Sequence, residues 1–176
     1  MAEEHKEPWL GRMALVTVIL AVGATLSTFK GGSYSTASVI NQALASDQWS
    51  FYQAKSTKQH LYNLQVDQMT LQASQAPQNS SISDAYAKKI AEYKESSARY
   101  ESEKKVIEGK AREHEALRDE AKQHGRPFGI AVIFLQVAIL LNSIAGLLKV
   151  KRIWWLSIPV GLTGLVFFVD GFLLLF

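Results

Sequence analysis

The stretch Ala73-Ser74-Gln75-Ala76-Pro77-Gln78-Asn79-Ser80-Ser81 predicts where the chain folds back on itself. Pro77 is the only proline between residues 30 and 126, and its neighbours are small and polar, a composition typical of a loop. Ser81, followed three residues later by Asp84, resembles an N-terminal capping box. We therefore expect one helix to end before this loop and a second helix to begin after it.

Apolar and aromatic residues recur at intervals of 3, 4 or 7 on both sides of the loop, a spacing typical of helices that pack as a coiled coil. The stripe before the loop consists of Ala37, Ile40, Leu44, Phe51, Ala54, Leu61, Leu64 and Leu71. The stripe after the loop consists of Tyr86, Ile90, Tyr93, Tyr100, Ile107, Ala111, His114, Ala121 and Phe128. We predict a long antiparallel, coiled-coil-like hairpin with arms at about residues 33–73 and 82–124.

The two stripes also predict a register for the hairpin. Their ends pair around a midpoint close to Pro77, and Gly31-Gly32 with Gly125 and Pro127 are expected to break the helices at equal distances from it. Contacting residues should then have numbers that add to roughly 157. The contacts expected from this register are Leu64 with Tyr93, Phe51 with Val106 or Ile107, and Leu44 with His114.

Three charge-poor runs flank the hairpin: Met13–Phe29 and Phe128–Leu148 carry no charge, and Ile153–Phe176 carries only Asp170. A membrane-spanning helix needs about 20 apolar residues. We predict an all-α chain with three transmembrane helices, the first an uncleaved anchor. The expected segments are a tail at 1–8, spans at 9–30, 127–148 and 153–176, an extramembrane hairpin at 31–126 and a basic loop at 149–152.

Basic residues predict the orientation of the spans. Lys149, Lys151 and Arg152 lie in the short second loop, and Lys6 and Arg12 lie near the N-terminus. Short loops rich in Lys and Arg stay in the cytoplasm. We therefore expect the N-terminus to be cytoplasmic and the hairpin to be periplasmic, in a bacterial inner membrane.

The composition argues against most enzyme classes and against nucleic-acid binding. The chain has no cysteine, and none of its four histidines is spaced to share a metal with another. It has no nucleophile-elbow, phosphate-loop or dinucleotide motif. Residues 30–126 hold 14 basic and 12 acidic residues, a balance typical of a solvated helical surface. We expect no catalytic residue, metal, cofactor or nucleic-acid partner.

Four polar residues in or beside the spans are candidate functional positions: Lys30, Gln136, Asn142 and Asp170. Carboxylates inside a membrane usually mark a partner or an ion path. We expect a Lys30–Asp170 ion pair, with an ion or proton site at Asp170 as the alternative. Gln136 and Asn142 are expected to hydrogen-bond neighbouring helices.

Further aromatic and apolar residues lie off the first stripe and predict a second packing face, namely Val39, Ala43, Trp49, Tyr52, Tyr62 and Val66. A two-helix hairpin with so much apolar surface favours a partner, either another copy or a different membrane subunit, besides the membrane lipids. We therefore interpret the chain as a structural or scaffolding membrane protein, or an accessory subunit. An oligomeric channel or small-ion transporter is the alternative.

The segment Ala45-Ser46-Asp47-Gln48-Trp49-Ser50-Phe51-Tyr52-Gln53-Ala54-Lys55-Ser56-Thr57-Lys58, with Leu26-Ser27-Thr28-Phe29-Lys30-Gly31-Gly32 before it, resembles a bacterial membrane-protein family known as domain of unknown function 4337. The resemblance covers essentially the whole chain and implies the same order of spans, a bacterial source and no known activity. We interpret the polar and aromatic side chains of the motif as a subunit contact or, alternatively, a ligand or partner site. These side chains are Asp47, Gln48, Trp49, Tyr52, Gln53, Lys55 and Lys58.

Overall fold

A computed structural model describes residues 8–75 and 81–175 of the chain. This part is all-α and contains helices α1 (Pro8–Gln75), α2 (Ser81–Leu148) and α3 (Lys151–Leu173). The two long helices, α1 and α2, pack against each other, as the two stripes predicted. Pro77 lies outside the described residues, but α1 ends just before the expected loop and α2 begins just after it.

Each of the three helices contains a segment long and apolar enough to cross a membrane. Many large apolar side chains of these segments are exposed, including Leu15, Phe29, Ile133, Leu140, Leu156 and Leu162. Exposed apolar surface of this extent is what lipid covers in a membrane protein. The chain therefore has the three candidate spans that the sequence predicted.

Two compact units divide the chain. We call residues 8–40 and 117–175 the membrane unit, and residues 41–75 and 81–116 the hairpin unit. Each unit is built from a part of α1 and a part of α2, and the membrane unit also contains α3.

The glycines and the proline expected to break the helices do not break them. α1 continues through Gly31 and Gly32, and α2 continues through Gly125 and Pro127. An added Cβ at Gly31 would lie 3.2 Å from the Phe128 Cβ. The missing side chain at Gly31 therefore lets α1 and α2 approach closely, which explains its position without a break.

Small residues also set the packing inside the membrane unit. Leu20 and Ala24 of α1 contact Ala131, Leu135 and Ala138 of α2 in one buried cluster. On α3, Gly161 and Gly164 are buried against this cluster, and a Cβ at Gly164 would lie 3.0 Å from the backbone nitrogen of Leu135. Helices in membranes use such small residues to bring their backbones together.

The interface between α1 and α2 in the hairpin unit, which we call the seam, has heptad spacing. The buried or half-buried residues that carry this spacing on α1 are Asn41, Ala45, Gln48, Tyr52, Lys55, Gln59, Tyr62, Val66, Met69 and Ala73. Those on α2 are Ser83, Tyr86, Ile90, Tyr93, Ser97, Tyr100, Lys104, Ile107, Ala111 and His114. Intervals of 3 and 4 alternate along both lists, as in a coiled coil.

The predicted stripe on α2 is confirmed, whereas the predicted stripe on α1 is wrong. All α2 stripe residues from Tyr86 to Phe128 are buried or half-buried. On α1, Phe51 is 59% exposed and Leu64 is 62% exposed. The residues predicted to lie off the stripe, Tyr52 and Tyr62, face α2 instead. The prediction failed because it counted apolar residues, and the α1 side of the seam is largely polar and aromatic.

The predicted register of the hairpin is nevertheless confirmed. The numbers of contacting residues add to between 155, for Asn41 with His114, and 164, for Trp49 with Glu115, which is within about two helical turns of the expected 157. The partners differ from those expected. Tyr93 contacts Tyr62 and not the exposed Leu64, and His114 contacts Asn41 in place of Leu44.

Candidate functional site

Hydrogen bonds and ion pairs hold the seam of the hairpin unit together. Trp49 Nε1 donates to Glu115 Oε1 over 2.9 Å, and Ser97 Oγ donates to Asn63 Oδ1 over 2.6 Å. Gln59 is both a donor and an acceptor at the seam, since its Nε2 donates to Glu101 and its Oε1 accepts from Lys104. A polar group that is partly buried needs such a partner, so each bond specifies which residue of α2 faces α1.

Two of the carboxylates at the seam have lowered pKa values. The hydrogen bond from Gln59, followed by that from Lys104, holds the pKa of Glu101 below its usual range. The hydrogen bond from Lys55 does the same for the pKa of Glu103. Lys55 and Glu103 are partly exposed, so solvent screens the pair and it contributes more to register than to stability.

Aromatic rings fill the middle of the seam. The Tyr62 ring lies between Tyr93 and Tyr100, with centroid distances of 5.4 and 5.6 Å. The Lys55 ammonium lies 5.2 Å from the Tyr100 ring centroid, and the Lys104 ammonium lies 5.3 Å from that of Tyr52. Tyr52 and Tyr62, which the sequence pattern assigned to a second packing face, therefore pack against α2 of the same chain.

The motif residues divide between this seam and the solvent. Trp49, Tyr52 and Lys55 contact α2 of the same chain through the bonds given above, and Gln48 is half-buried. The remaining motif side chains, Asp47, Gln53 and Lys58, are exposed. Part of the motif thus serves the intramolecular seam, and a subunit contact or ligand site at its exposed side chains stays a prediction.

The outer side of α1 in the hairpin unit carries an uncovered row of apolar side chains. We call it the outer band, and it consists of Leu44, Phe51, Leu61, Leu64 and Leu71. Successive members are 7, 10, 3 and 7 residues apart, and the exposed Ala54 lies in the long gap. Because residues three, four or seven apart lie near one face of a helix, the band forms an apolar surface that the exposed Lys58 interrupts in the long gap.

The outer surface of α2 in the same unit is strongly charged by contrast. Residues 81–116 contain 16 charged residues, eight basic and eight acidic, whereas residues 41–75 contain four. Ile82 and Val106 are the exposed large apolar side chains on this side. The hairpin unit therefore presents one apolar side and one charged side.

Asn142 is the centre of a buried polar network in the membrane unit. Its Nδ2 donates to Thr17 Oγ1 over 2.9 Å, and its Oδ1 accepts from the Ser157 hydroxyl. One side chain from each helix takes part, so the network ties α1, α2 and α3 together. This agrees with the helix-to-helix role expected for Asn142. Gln136 is exposed on the outside of the unit.

Asp170 is buried, with 2% of its surface exposed, near the C-terminal end of α3. Its Oδ1 accepts from the Leu175 backbone N–H over 2.6 Å. Lys30 is exposed, and within the described segments no ion pair joins it to Asp170. The expected Lys30–Asp170 pair is therefore not formed. The Lys30 side chain is exposed, and the backbone N–H of Leu175 at the helix end donates to the Asp170 carboxylate instead.

Sequence reasoning missed several residues that matter to both units. Asn41, Gln59, Asn63 and Glu115 form seam contacts, but polar side chains do not register in a search for apolar periodicity. The signal that could have found them is the alternation of 3 and 4 among tyrosine, glutamine and lysine on α1.

Comparison with known proteins gives one match. A family model described as Domain of unknown function (DUF4337) matches residues 9–174. No curated protein and no solved structure matches the chain.

Proposed function

Since this chain belongs to that family, whose description assigns no activity, we propose from its geometry that it is a structural membrane protein that self-associates through its hairpin. The observation that carries the proposal is the outer band of α1. Tyrosines and hydrogen-bonded polar groups supply the seam, so the apolar side chains of the band stay exposed among the residues that the structure describes.

A second copy fits the band better than a partner of another kind. Two parallel copies of the hairpin unit would bring the same band residues opposite each other. The charged residues beside the band are Asp47, Lys58 and Asp67, whereas the outer surface of α2 carries many more charges and is expected to face solvent. Interfaces of obligate oligomers are likewise apolar in the middle and charged at the rim.

The proposed role is non-enzymatic: a scaffold, or an accessory subunit of a larger membrane complex. The alternative of a channel has weaker support. Asn142 is occupied by Thr17 and Ser157, and Asp170 is buried at a helix end. Native mass spectrometry of the full chain in mild detergent tests the role. Two or more copies are expected, or a defined complex with another membrane subunit. A single unaccompanied copy at all concentrations would contradict the proposal.

The proposed location is a bacterial inner membrane with a cytoplasmic N-terminus and a periplasmic hairpin. The basic cluster Lys149, Lys151 and Arg152 at the turn between α2 and α3 supports it, because such short basic segments stay in the cytoplasm.

Single cysteines test this orientation, because the chain has none of its own. A membrane-impermeant maleimide should label Glu95→Cys in cells whose outer membrane has been permeabilised, since Glu95 is exposed in the hairpin unit. Arg152→Cys, also exposed, should react only after the inner membrane is lysed. The opposite pattern of labelling would reverse the proposed orientation.

A further inference from the structure

We propose that the membrane unit holds a glycerophospholipid with a zwitterionic, ethanolamine-type headgroup in a groove between α2 and α3. The proposal rests on the membrane placement given above and not on self-association. The groove has a volume of about 640 Å³. Its lining residues are Gln123, Arg126, Pro127, Ile130, Phe167, Asp170 and Leu174. Pockets that bind small molecules have comparable volumes.

The lining changes from polar to apolar along the groove. On α2, Gln123 and Arg126 precede Pro127 and Ile130, and the charge-free segment begins at Phe128. On α3, which runs back beside α2, Asp170 lies one turn from Phe167. The polar groups therefore lie at the headgroup level, and Ile130 and Phe167 lie deeper, where acyl chains are found. A phospholipid has the same polarity along its length.

Arg126 supplies the phosphate-binding group. It is exposed, and within the described ranges of the chain it forms no ion pair or hydrogen bond with another residue. A guanidinium can bind two phosphate oxygens at once, and the Gln123 amide beside it can donate a further hydrogen bond. An arginine without a protein partner at the start of a span is therefore available to a lipid phosphate.

Asp170 selects the ammonium group of the headgroup. It is a buried carboxylate at the C-terminal end of α3, where the helix dipole is negative, so a cation nearby is favourable. Pro127 has no backbone N–H, so the Gln123 carbonyl lacks its usual helical hydrogen bond and offers a second acceptor at this level. An ammonium group suits both acceptors, whereas a purely anionic headgroup would be repelled by Asp170.

The test is retention and rebinding of lipid by the full chain. Native mass spectrometry after purification in mild detergent should show one phosphatidylethanolamine per chain. After delipidation, titration should show tighter binding of phosphatidylethanolamine than of phosphatidylglycerol. Arg126→Gln should weaken phosphatidylethanolamine binding about tenfold, the effect of losing one charge-assisted contact. Lys122→Gln, an exposed cation of the same helix outside this groove, should leave it unchanged.

Asp170→Asn should remove the preference for the ethanolamine headgroup over the glycerol headgroup. Because this variant changes a buried residue, Arg126→Gln keeps the proposal testable if Asp170→Asn fails to fold. The proposal is overturned if no lipid is retained, if Arg126→Gln and Lys122→Gln bind alike, or if phosphatidylglycerol binds as tightly. Free phosphoethanolamine binding as tightly as the whole lipid would also overturn it, because the acyl chains would then contribute nothing. None of these outcomes depends on the number of copies in the particle.

Discussion

Replacing both Leu61 and Leu64 with lysine should convert the assembled protein into single chains. Both leucines belong to the outer band and are exposed in one chain, at 57% and 62%. Burying a leucine stabilises an interface by about 1.5–3 kcal/mol, and the substitution also places two like charges opposite their copies. The loss at both positions should weaken association by more than about a hundredfold. Native mass spectrometry or light scattering in detergent measures the change.

The matched control lies on the other arm of the same hairpin. Ile82→Lys with Val106→Lys adds the same two charges at positions of similar exposure, 55% and 60%, on the charged side of α2. This control should keep the wild-type number of copies, and circular dichroism should show full helix content in both variants. If the two variants assemble alike, the outer band does not join the copies.

Gly164→Ala should destabilise the membrane unit. The added Cβ would lie 2.8 Å from Leu135 Cγ and 3.0 Å from the Leu135 backbone nitrogen, so α2 and α3 would have to move apart. Overpacking of this kind costs about 1–3 kcal/mol. A thermal melt followed by circular dichroism in detergent should show a midpoint lower by roughly 3–10 °C.

Gly129→Ala separates the clash from the general effect of replacing a helical glycine. Gly129 lies in α2, and an added Cβ there meets nothing within 4 Å. Alanine favours a helix over glycine by about 1 kcal/mol, so this control should melt at the same temperature as wild type or higher. A midpoint for Gly164→Ala equal to that of Gly129→Ala would show that α2 and α3 are not held at this distance.

The number of helices and the place where the chain folds back could be predicted because the distribution of apolar residues and the composition of the loop indicate them. Runs without charge, such as Phe128–Leu148, are long and apolar enough to span a membrane, and the polar loop around Pro77 indicates where the chain folds back. The register of the hairpin could be predicted because both stripes have the same spacing. The residue number at which the chain folds back does not depend on which face of α1 is buried, so the error about that face did not shift the register. The contacts Lys55–Glu103 and Asn41–His114 lie where that midpoint puts them.

The buried face of α1 could not be predicted from apolar periodicity. Two faces of this helix have coiled-coil spacing, and the more apolar one, with Leu64 and Leu71, is exposed. The buried face is chosen by partners on α2, since Trp49 needs Glu115 and Gln59 needs both Glu101 and Lys104. Such pairings depend on which residues meet across the hairpin, and one helix considered alone does not contain that information.

The helix breaks assigned to glycine failed for a related reason. Glycine at a helix end and glycine at a helix crossing look the same in a sequence. Gly31 belongs to the second kind, since it lies against Phe128 in the middle of α1. The expected ion pair of Lys30 with Asp170 was based on equal depth in the membrane. Depth does not determine which way each side chain points around its helix.

Cross-linking of single cysteines in native membranes tests most directly whether the outer band joins two copies. Leu64→Cys and Val106→Cys are equally exposed in one chain, and the protein has no other cysteine. With a short bifunctional maleimide, Leu64→Cys should give a cross-linked dimer in high yield, and Val106→Cys should remain a monomer. Equal yields from the two variants, or no dimer from Leu64→Cys, would contradict self-association through α1.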